Sequence, residues 1–450
     1  MAKLFGTDGI RGVANRFPMT PETMVKIGLS VGHLLQKSGT RVIIGRDSRI
    51  SGQMLEQALS AGLVASGTNV LLAGVIPTPG VAFLTRQLQA EAGIVISASH
   101  NPAPDNGVKI FSGDGFKFPD ELESRIEEIV LSDQSPQKRP LGGDIGRIQQ
   151  LSEAAEQYGE HCMRSVFIEP RPSVKGLKIV VDCANGAASA VAPSVFESLQ
   201  AQVVKLSTDP DGLNINCDCG ALHTKSLQEH VLRERADIGI AFDGDADRLI
   251  LVDEQGRQLD GDNILAILAL DFHQRRQLQN NRVVATVMSN LGLEFALKKA
   301  GISLVRTAVG DRHVVEKMRE LGVRLGGEQS GHIIMLDHGT TGDGLSTALA
   351  ILHILQSSGK SLSELASPLT RFPQKLVNIP VKDRRPIEEM IGVSEAIRRA
   401  EKELGDYGRT LVRYSGTELL ARVMVEAEDE DTVTRITQII VEEFHKEHKG

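Results

Sequence analysis

Apolar runs of strand length, each breaking off into a polar loop and followed by a helix-length segment, recur along most of this chain. That alternation builds α/β layers with mixed or largely parallel sheets. A first region holds Arg41-Val-Ile-Ile-Gly45, Val70-Leu-Leu-Ala73 and Ile94-Val-Ile96, and a polar connection follows around Gln134 to Pro140. A second runs from Leu177-Lys-Ile-Val-Val-Asp182 through Val203-Val-Lys-Leu206 to Ile238-Gly-Ile-Ala-Phe242. A third holds Val283-Val-Ala-Thr-Val287, Ser303-Leu-Val305 and Leu325-Gly-Gly-Glu328. The shared rhythm hints at a weak internal repeat. After Arg371-Phe-Pro373 it changes: strands are expected at Lys375-Leu-Val-Asn-Ile-Pro-Val381, Thr410-Leu-Val-Arg413 and Ala421-Arg-Val-Met-Val-Glu426, with a closing helix from about Asp431.

The sharpest chemistry follows the strand ending at Phe242. Asp243-Gly-Asp-Ala-Asp-Arg248 sets three carboxylates at alternate positions, so their oxygens can converge on one hard divalent cation. Mg2+ suits such a site, since it takes a few carboxylates and keeps positions for phosphate oxygen or water. Arg248 adds a fixed positive charge for a phosphoryl group. The competing readings are an acidic surface turn or a calcium loop. In a calcium loop counted from Asp243, Glu254 fits the twelfth place, but Arg248 stands where glycine must make the sixth-place turn. Leu249-Ile-Leu-Val252 also reads as a second strand inside that loop.

Ser97-Ala-Ser-His-Asn-Pro-Ala-Pro-Asp-Asn-Gly-Val-Lys109 likewise follows an apolar strand, and reads as a polar loop that Pro102 and Pro104 stiffen. It offers Ser99 beside His100, with Asn101, Asn106 and Lys109 close behind. A serine on a rigid turn can act as nucleophile or phosphate carrier; alone, the segment is an ordinary Ser/Asn/Pro connection. Beside the aspartate loop it suggests phosphoryl transfer at a metal with Ser99 as the covalent station. Ser415, Gly416 and Thr417, flanked by Arg413 and Arg422, could cradle a phosphate or form a plain hairpin turn. Glu328 and Ser330 can exchange hydrogen bonds with vicinal sugar hydroxyls, and His332 has the intrinsic pKa for proton transfer near neutrality.

These four segments together resemble the signature loops of the α-D-phosphohexomutase superfamily, in that family's order. They are Ser97-Ala-Ser-His-Asn-Pro102, Asp243-Gly-Asp-Ala-Asp-Arg248, Gly327-Glu-Gln-Ser-Gly-His332 and Arg413-Tyr-Ser-Gly-Thr-Glu418. The opening Leu4-Phe-Gly-Thr-Asp-Gly-Ile-Arg-Gly12 and Gln329 resemble the phosphoglucosamine branch more than the phosphomannomutase/phosphoglucomutase branch. Tyr414 and Leu419-Leu420 depart from the commonest pattern around the phosphate loop but leave Ser415, Gly416 and Thr417 in place. The resemblance implies three similar α/β domains, at 1–150, 151–256 and 257–370, and a smaller C-terminal α+β domain at 371–450, with the loops facing a central cleft.

It further implies an isomerase that moves a phosphoryl group within glucosamine 6-phosphate to give glucosamine 1-phosphate, on the path to UDP-N-acetylglucosamine. Glucose and mannose phosphates are the alternative substrates, and a metal-dependent sugar phosphohydrolase the alternative activity. Ser99 carries the phosphoryl group, and one Mg2+ per subunit is held by Asp243, Asp245, Asp247 and a phosphoserine oxygen on Ser99. Glu328 and Ser330 hold the sugar, while Arg413, Ser415, Gly416, Thr417 and Arg422 take the resident phosphate. A 1,6-bisphosphate forms and turns over, and a hexose 1,6-bisphosphate is one possible primer of Ser99. Lys109, Arg11 and His332 are the acid/base candidates; Arg248 stabilises charge, and His100 orients the serine loop. Reorientation of the bisphosphate calls for a hinge near residue 371.

Bulk properties fit this reading. The 450 residues carry 41% hydrophobic and 24% charged side chains, an ordinary globular composition. A net charge of −8 argues against nucleic acid or anionic membrane partners, so a sugar phosphate must be drawn in by local arginines and lysines. The most apolar stretch, 70–84, contains Pro77 and Pro79, and Lys3, Asp8 and Arg11 interrupt the start, so a cytoplasmic protein without a membrane anchor is expected. Cys162, Cys183, Cys217 and Cys219 are too few and scattered for a disulfide framework, and Cys217-Asp-Cys219 with His223 lacks a second zinc pair. The oligomeric state stays open, a homodimer being one compatible arrangement.

Overall fold

The computed structural model describes residues 4–6, 8–35, 39–132, 139–167, 174–415 and 419–449. Among the described residues, eighteen strands form four sheets in chain order. The first contains β1 (Ile10–Val13), β2 (Arg41–Arg46), β3 (Asn69–Val75), β4 (Ala92–Ile96), β5 (Asp105–Ser112) and β6 (Ile148–Gln150), arranged β1-β5-β4-β2-β3-β6. Its interior strands β2, β3 and β4 run parallel, whereas β5 turns back antiparallel to both β4 and β1. Helices α1 (Pro21–Leu34), α2 (Ser51–Ala65), α3 (Thr78–Gln87) and α4 (Asp120–Leu131) connect the strands. Val42, Ile44, Val70, Ile94 and Ile96 face a core shared with Ile27, Leu55, Leu59 and Ile126 of the helices. Parallel strands buried on both faces must be apolar throughout, which is why the sequence shows runs here.

A second sheet, ordered β11-β10-β9-β7-β8, is built from β7 (Lys178–Asp182), β8 (Gln202–Leu206), β9 (Ile238–Phe242), β10 (Leu249–Asp253) and β11 (Gln258–Leu259). Around it run α5 (Ala154–Val166), α6 (Ala192–Ser198) and α7 (Lys225–Glu234). The third, ordered β13-β12-β14-β15, uses β12 (Arg282–Thr286), β13 (Ser303–Thr307), β14 (Leu325–Gly327) and β15 (Ile333–Met335). Along the chain, the helices before, between and after these strands are α8 (Gly261–Gln274), α9 (Leu291–Lys299), α10 (Asp311–Leu321), α11 (Gly344–Ser358) and α12 (Leu362–Ala366). The last sheet is an antiparallel β16-β18-β17 ribbon made of β16 (Gln374–Pro380), β17 (Arg409–Tyr414) and β18 (Leu420–Glu426). Helices α13 (Ile391–Leu404) and α14 (Glu430–Lys449) accompany it, and Val393, Ile436, Ile440 and Phe444 share a core with Val423 and Val425. The expected class is therefore present: mixed sheets in three α/β layers and a smaller α+β part.

The chain divides into two compact units, Met1–Thr286 with Val305–Ala366, and Val287–Leu304 with Ser367–Gly450. In the second unit, buried Glu426 at the end of β18 accepts hydrogen bonds from Arg409 Nε (2.5 Å), Asn290 Nδ2 (3.2 Å) and the Leu291 amide (3.2 Å). This carboxylate ties the segment carrying α9 to the C-terminal ribbon. One expectation needs correcting: Asn106 and Lys109 do not sit in a polar loop but on β5, with Lys109 opposite Val95 of β4. No helix among the described residues is long and apolar enough to cross a membrane.

Candidate active site

In the first unit the serine loop and the aspartate loop meet. The loop after β4 turns sharply at Ser99, whose φ of +52° lies in the left-handed region that ordinary side chains avoid. The turn puts Ser99 Oγ 2.5 Å from Asp243 Oδ2 and 3.3 Å from His100 Nδ1, with its own amide donating to Ser97 Oγ (2.9 Å). Gly244 makes the approach possible, since a Cβ there would lie 2.5 Å from the Ser99 carbonyl oxygen. Arg11, from β1, reaches the same loop through the Ala98 carbonyl and Asn101 Oδ1.

Asp243, Asp245 and Asp247 follow β9, and one carboxylate oxygen of each lies within 4.8 Å of the others. All three are buried. Burial, and then the charges of Asp247 and Asp245, push the Asp243 carboxyl well above its usual range. Burial works the same way on Asp247, but Lys109, His332 and Arg248 outweigh it and hold that carboxyl low. Asp245 Oδ1 and Asp247 Oδ1 have no hydrogen-bond partner although both are buried. Convergent, unsatisfied carboxylate oxygens with no nitrogen or sulfur donor are the set a hard dication takes. Thr78, at the start of α3, donates to Asp245 Oδ2 (2.6 Å) and orients it.

Lys109 reaches this cluster from β5, its Nζ 3.0 Å from both Asp245 Oδ2 and Asp247 Oδ2 and 3.3 Å from Asp8 Oδ2. Burial disfavours the ammonium, but Asp245, Asp247 and Asp8 overcome it and raise its pKa well above the ordinary value. Asp8 also pairs with Arg11 and Lys117, Lys117 Nζ lies 2.6 Å from Asp311 Oδ2, and Asp311 Oδ2 lies 3.7 Å from His332 Nε2. His332 Nε2 in turn is 3.9 Å from Asp247 Oδ2, so acidic and basic side chains alternate in a ring around the site. Neither ring nitrogen of buried His332 makes a hydrogen bond.

The sugar-recognition candidates lie in the turn between β14 and β15. Half-buried Glu328 accepts from the Gly310 amide (3.1 Å), Gln329 donates to Asp262 (3.1 Å), and Ser330 is exposed. The Gly331 carbonyl accepts from Leu249 N (3.0 Å), which docks this turn beside Arg248 at the start of β10. Arg248 Nε makes no hydrogen bond and sits 3.9 Å from Asp247 Oδ1; its guanidinium is half-buried, which disfavours the charge, but Asp243, Asp247 and Glu328 outweigh this and raise its pKa. The first unit thus brings together Arg11, Ser99, His100, Lys109, Asp243, Asp245, Asp247, Arg248 and His332.

In the second unit, Arg413 and Arg422 are register partners on β17 and β18, so two cations stand opposite each other on one face. Burial and the Arg422 charge both lower the Arg413 pKa, a penalty that a bound anion would relieve. Arg422 Nη2 lies 3.4 Å from Ser415 Oγ. Gly416 and Thr417 fall outside the described residues. Sequence reasoning passed over Asp8, Asp47, Arg49, Thr78, Lys117 and Asp311. A usable signal existed for two of them, because Gly45-Arg-Asp-Ser-Arg49 also sits where an apolar strand ends.

Four domain models of the phosphoglucomutase/phosphomannomutase family match in order: α/β/α domain I over residues 2–137, domain II over 156–256, domain III over 260–372 and the C-terminal domain over 376–443. The chain is similar to the phosphoglucosamine mutase of Desulforamulus reducens, with 51% identity over 95% of this chain and 96% of that one. It is also similar to that of Syntrophotalea carbinolica, with 49% identity over 100% and 98%. Among solved structures, a phosphoglucomutase/phosphomannomutase family protein from Burkholderia thailandensis superposes with a TM-score of 0.81 at 26% identity, covering 99% of this chain and 97% of that one. The Aspergillus fumigatus N-acetylphosphoglucosamine mutase, solved with GlcNAc-6P and magnesium, shares the fold at 18% identity, with a TM-score of 0.64 and coverage of 98% and 96%. With family matches spanning its length and relatives about half identical to it, the chain belongs to the phosphoglucomutase/phosphomannomutase family.

Proposed function

We propose that the chain is a phosphoglucosamine mutase, an isomerase interconverting glucosamine 6-phosphate and glucosamine 1-phosphate through a phosphoserine at Ser99. The observation that carries this reading is Ser99 Oγ lying 2.5 Å from Asp243 within a group of three buried carboxylates. The amino-sugar substrate rests on the relatives that are about half identical over nearly the whole chain.

Asp243, Asp245, Asp247 and an oxygen of phosphorylated Ser99 would hold Mg2+, which supplies charge stabilisation on the transferring phosphoryl group. The sugar is held by Glu328 and Ser330, and its resident phosphate is assigned to Arg413, Ser415, Gly416, Thr417 and Arg422. As the free sugar hydroxyl attacks, the bond from phosphorus to Ser99 Oγ breaks and a bond to the sugar oxygen forms. The hydroxyl proton is assigned to His332, whose ring nitrogens make no hydrogen bond and whose imidazole can take a proton near neutrality, whereas arginine does not deprotonate. Lys109, Arg11 and Arg248 meet the negative charge that develops, and His100 orients the serine loop. The 1,6-bisphosphate then turns around and returns its other phosphate to Ser99, taking the proton back. A bisphosphate of the same class would prime the unphosphorylated enzyme.

A phosphorus NMR time course with Mg2+, glucosamine 6-phosphate and a trace of hexose 1,6-bisphosphate tests the proposal. Growth of glucosamine 1-phosphate to a stable ratio without inorganic phosphate is expected. Accumulating inorganic phosphate would overturn it in favour of a hydrolase. Conversion of glucose or mannose phosphates alone would overturn the amino-sugar assignment.

A further inference from the structure

Arg49 is a fully buried guanidinium that the mechanism above does not use. Its five N–H donors are all engaged. Nε donates to Asp47 Oδ2 (2.9 Å), Nη1 to the Pro102 and Asp105 carbonyls, and Nη2 to the carbonyls of Ser99 (3.1 Å) and Asn101 (2.7 Å). Asp47 also accepts from Ser97 Oγ (2.6 Å), the same oxygen that receives the Ser99 amide. Asn216 Nδ2 donates to the same two carbonyls, Ser99 (2.9 Å) and Asn101 (3.0 Å). Asn216 is fixed in turn by its amide on the Ala184 carbonyl (2.9 Å) and lies in the left-handed region at φ +57°. The metal loop packs against this point, as a Cβ on Gly244 would lie 2.5 Å from the Ser99 oxygen and 2.9 Å from Asn216 Nδ2.

We infer that Arg49 and Asn216 are positioning residues that clamp the carbonyls of the serine loop against the metal loop, keeping Ser99 Oγ at the carboxylates whether or not it carries a phosphoryl group. The inference rests on the phosphoserine role proposed above. Phosphorylation brings nearly two negative charges to within bonding distance of Asp243. A loop fixed only through the serine side chain would move when that charge arrives or leaves. Here the anchors are backbone carbonyls, which phosphorylation does not alter, and their donors are a guanidinium that does not titrate and an amide. The left-handed turn at Ser99 is over-determined by its surroundings, the condition under which a strained functional residue persists.

Two substitutions at Asn216 separate positioning from space filling. Asn216→Gly suits the backbone angle and removes the donor, whereas Asn216→Asp keeps the volume and aims carboxylate oxygens at two carbonyls. Wild-type conversion, measured first, tests the functional reading; the clamp is judged against that rate. Turnover should fall roughly tenfold in Asn216→Gly and about a hundredfold in Asn216→Asp with KM little changed, the scale expected for a reacting group displaced by about an ångström. Amide hydrogen exchange over residues 97–102 should speed up in the same order, a readout that needs no activity. If packing alone mattered the order would reverse, Gly being worse than Asp, and the clamp would fall. Wild-type turnover and exchange in Asn216→Gly would also overturn it. Should Asn216→Asp fail to fold, the Gly variant's turnover and exchange decide alone.

Discussion

Gly342→Ala should cripple turnover through a residue it does not replace. A Cβ at position 342 would lie 2.4 Å from His332 Nε2 and 2.5 Å from both Cδ2 and Cε1, where ordinary contact begins at 3.4 Å. The imidazole must therefore retreat by about 1 Å, a displacement that can cost about a hundredfold in rate, or ~2.7 kcal/mol in the barrier. No hydrogen bond holds the ring in place, because neither ring nitrogen has a partner. Overpacking also costs about 1–3 kcal/mol of stability, so folding must be followed separately by thermal denaturation. The assay is a double-mutant cycle on the mutase rate with His332→Ala. If the alanine acts through the ring, Gly342→Ala slows the wild-type background about a hundredfold and the His332→Ala background hardly at all. Equal slowing in both backgrounds, or a wild-type rate in folded Gly342→Ala, would refute the reasoning.

Ser99→Ala should abolish turnover and the phosphoserine phosphorus signal together; most activity surviving would remove Ser99 from the reaction. Chelation should stop turnover, and Mg2+ at a hundred times its Kd should add ~2.7 kcal/mol of stability, seen as a higher Tm that Asp245→Asn loses. An unchanged Tm would count against the carboxylate site. Burial, then the charges of Arg248 and Arg11, push His100 down from its ordinary 6.5 to about 4, so it stays neutral from pH 5 to 8 and its replacement should leave the shape of the rate profile there intact. Between those two values the unfolded chain binds a proton that the folded one refuses, so stability should climb with pH across that window, and His100→Phe should flatten the climb in urea titrations. Glu426→Ala leaves Arg409 and the Asn290 and Leu291 donors without their shared acceptor; a loss of about 3 kcal/mol is expected, read as early proteolysis within 367–449.

The strands that carry the site were readable because strands buried on both faces have to be continuous apolar runs, and β9 matches Ile238-Gly-Ile-Ala-Phe242 residue for residue. The loops were readable because acids, serine and glycine pile up where those runs stop. What escaped was partnership over long distances. Lys109 looked like a loop lysine since Pro102 and Pro104 precede it, yet the chain resumes as a strand at Asp105. Asp8, Lys117 and Asp311 look like solvated surface charges in sequence, and only folding stacks them into one ring from positions more than a hundred residues apart. Arg49 is the extreme case, because its acceptors are mostly backbone carbonyls that no residue type announces.

The division of the chain bears on how relatives could be recombined. The polypeptide leaves the first unit at 286, re-enters it at 305 and leaves again at 366. A chimera made by swapping only residues 367–450 would leave the helix at 291–299 with a foreign partner for Glu426. A swap with matched interiors needs two inserts, 287–304 and 367–450, taken from the same donor. Natural exchange of the C-terminal portion by a single crossover would meet the same obstacle, so these two stretches are expected to share ancestry even where the rest of a sequence does not.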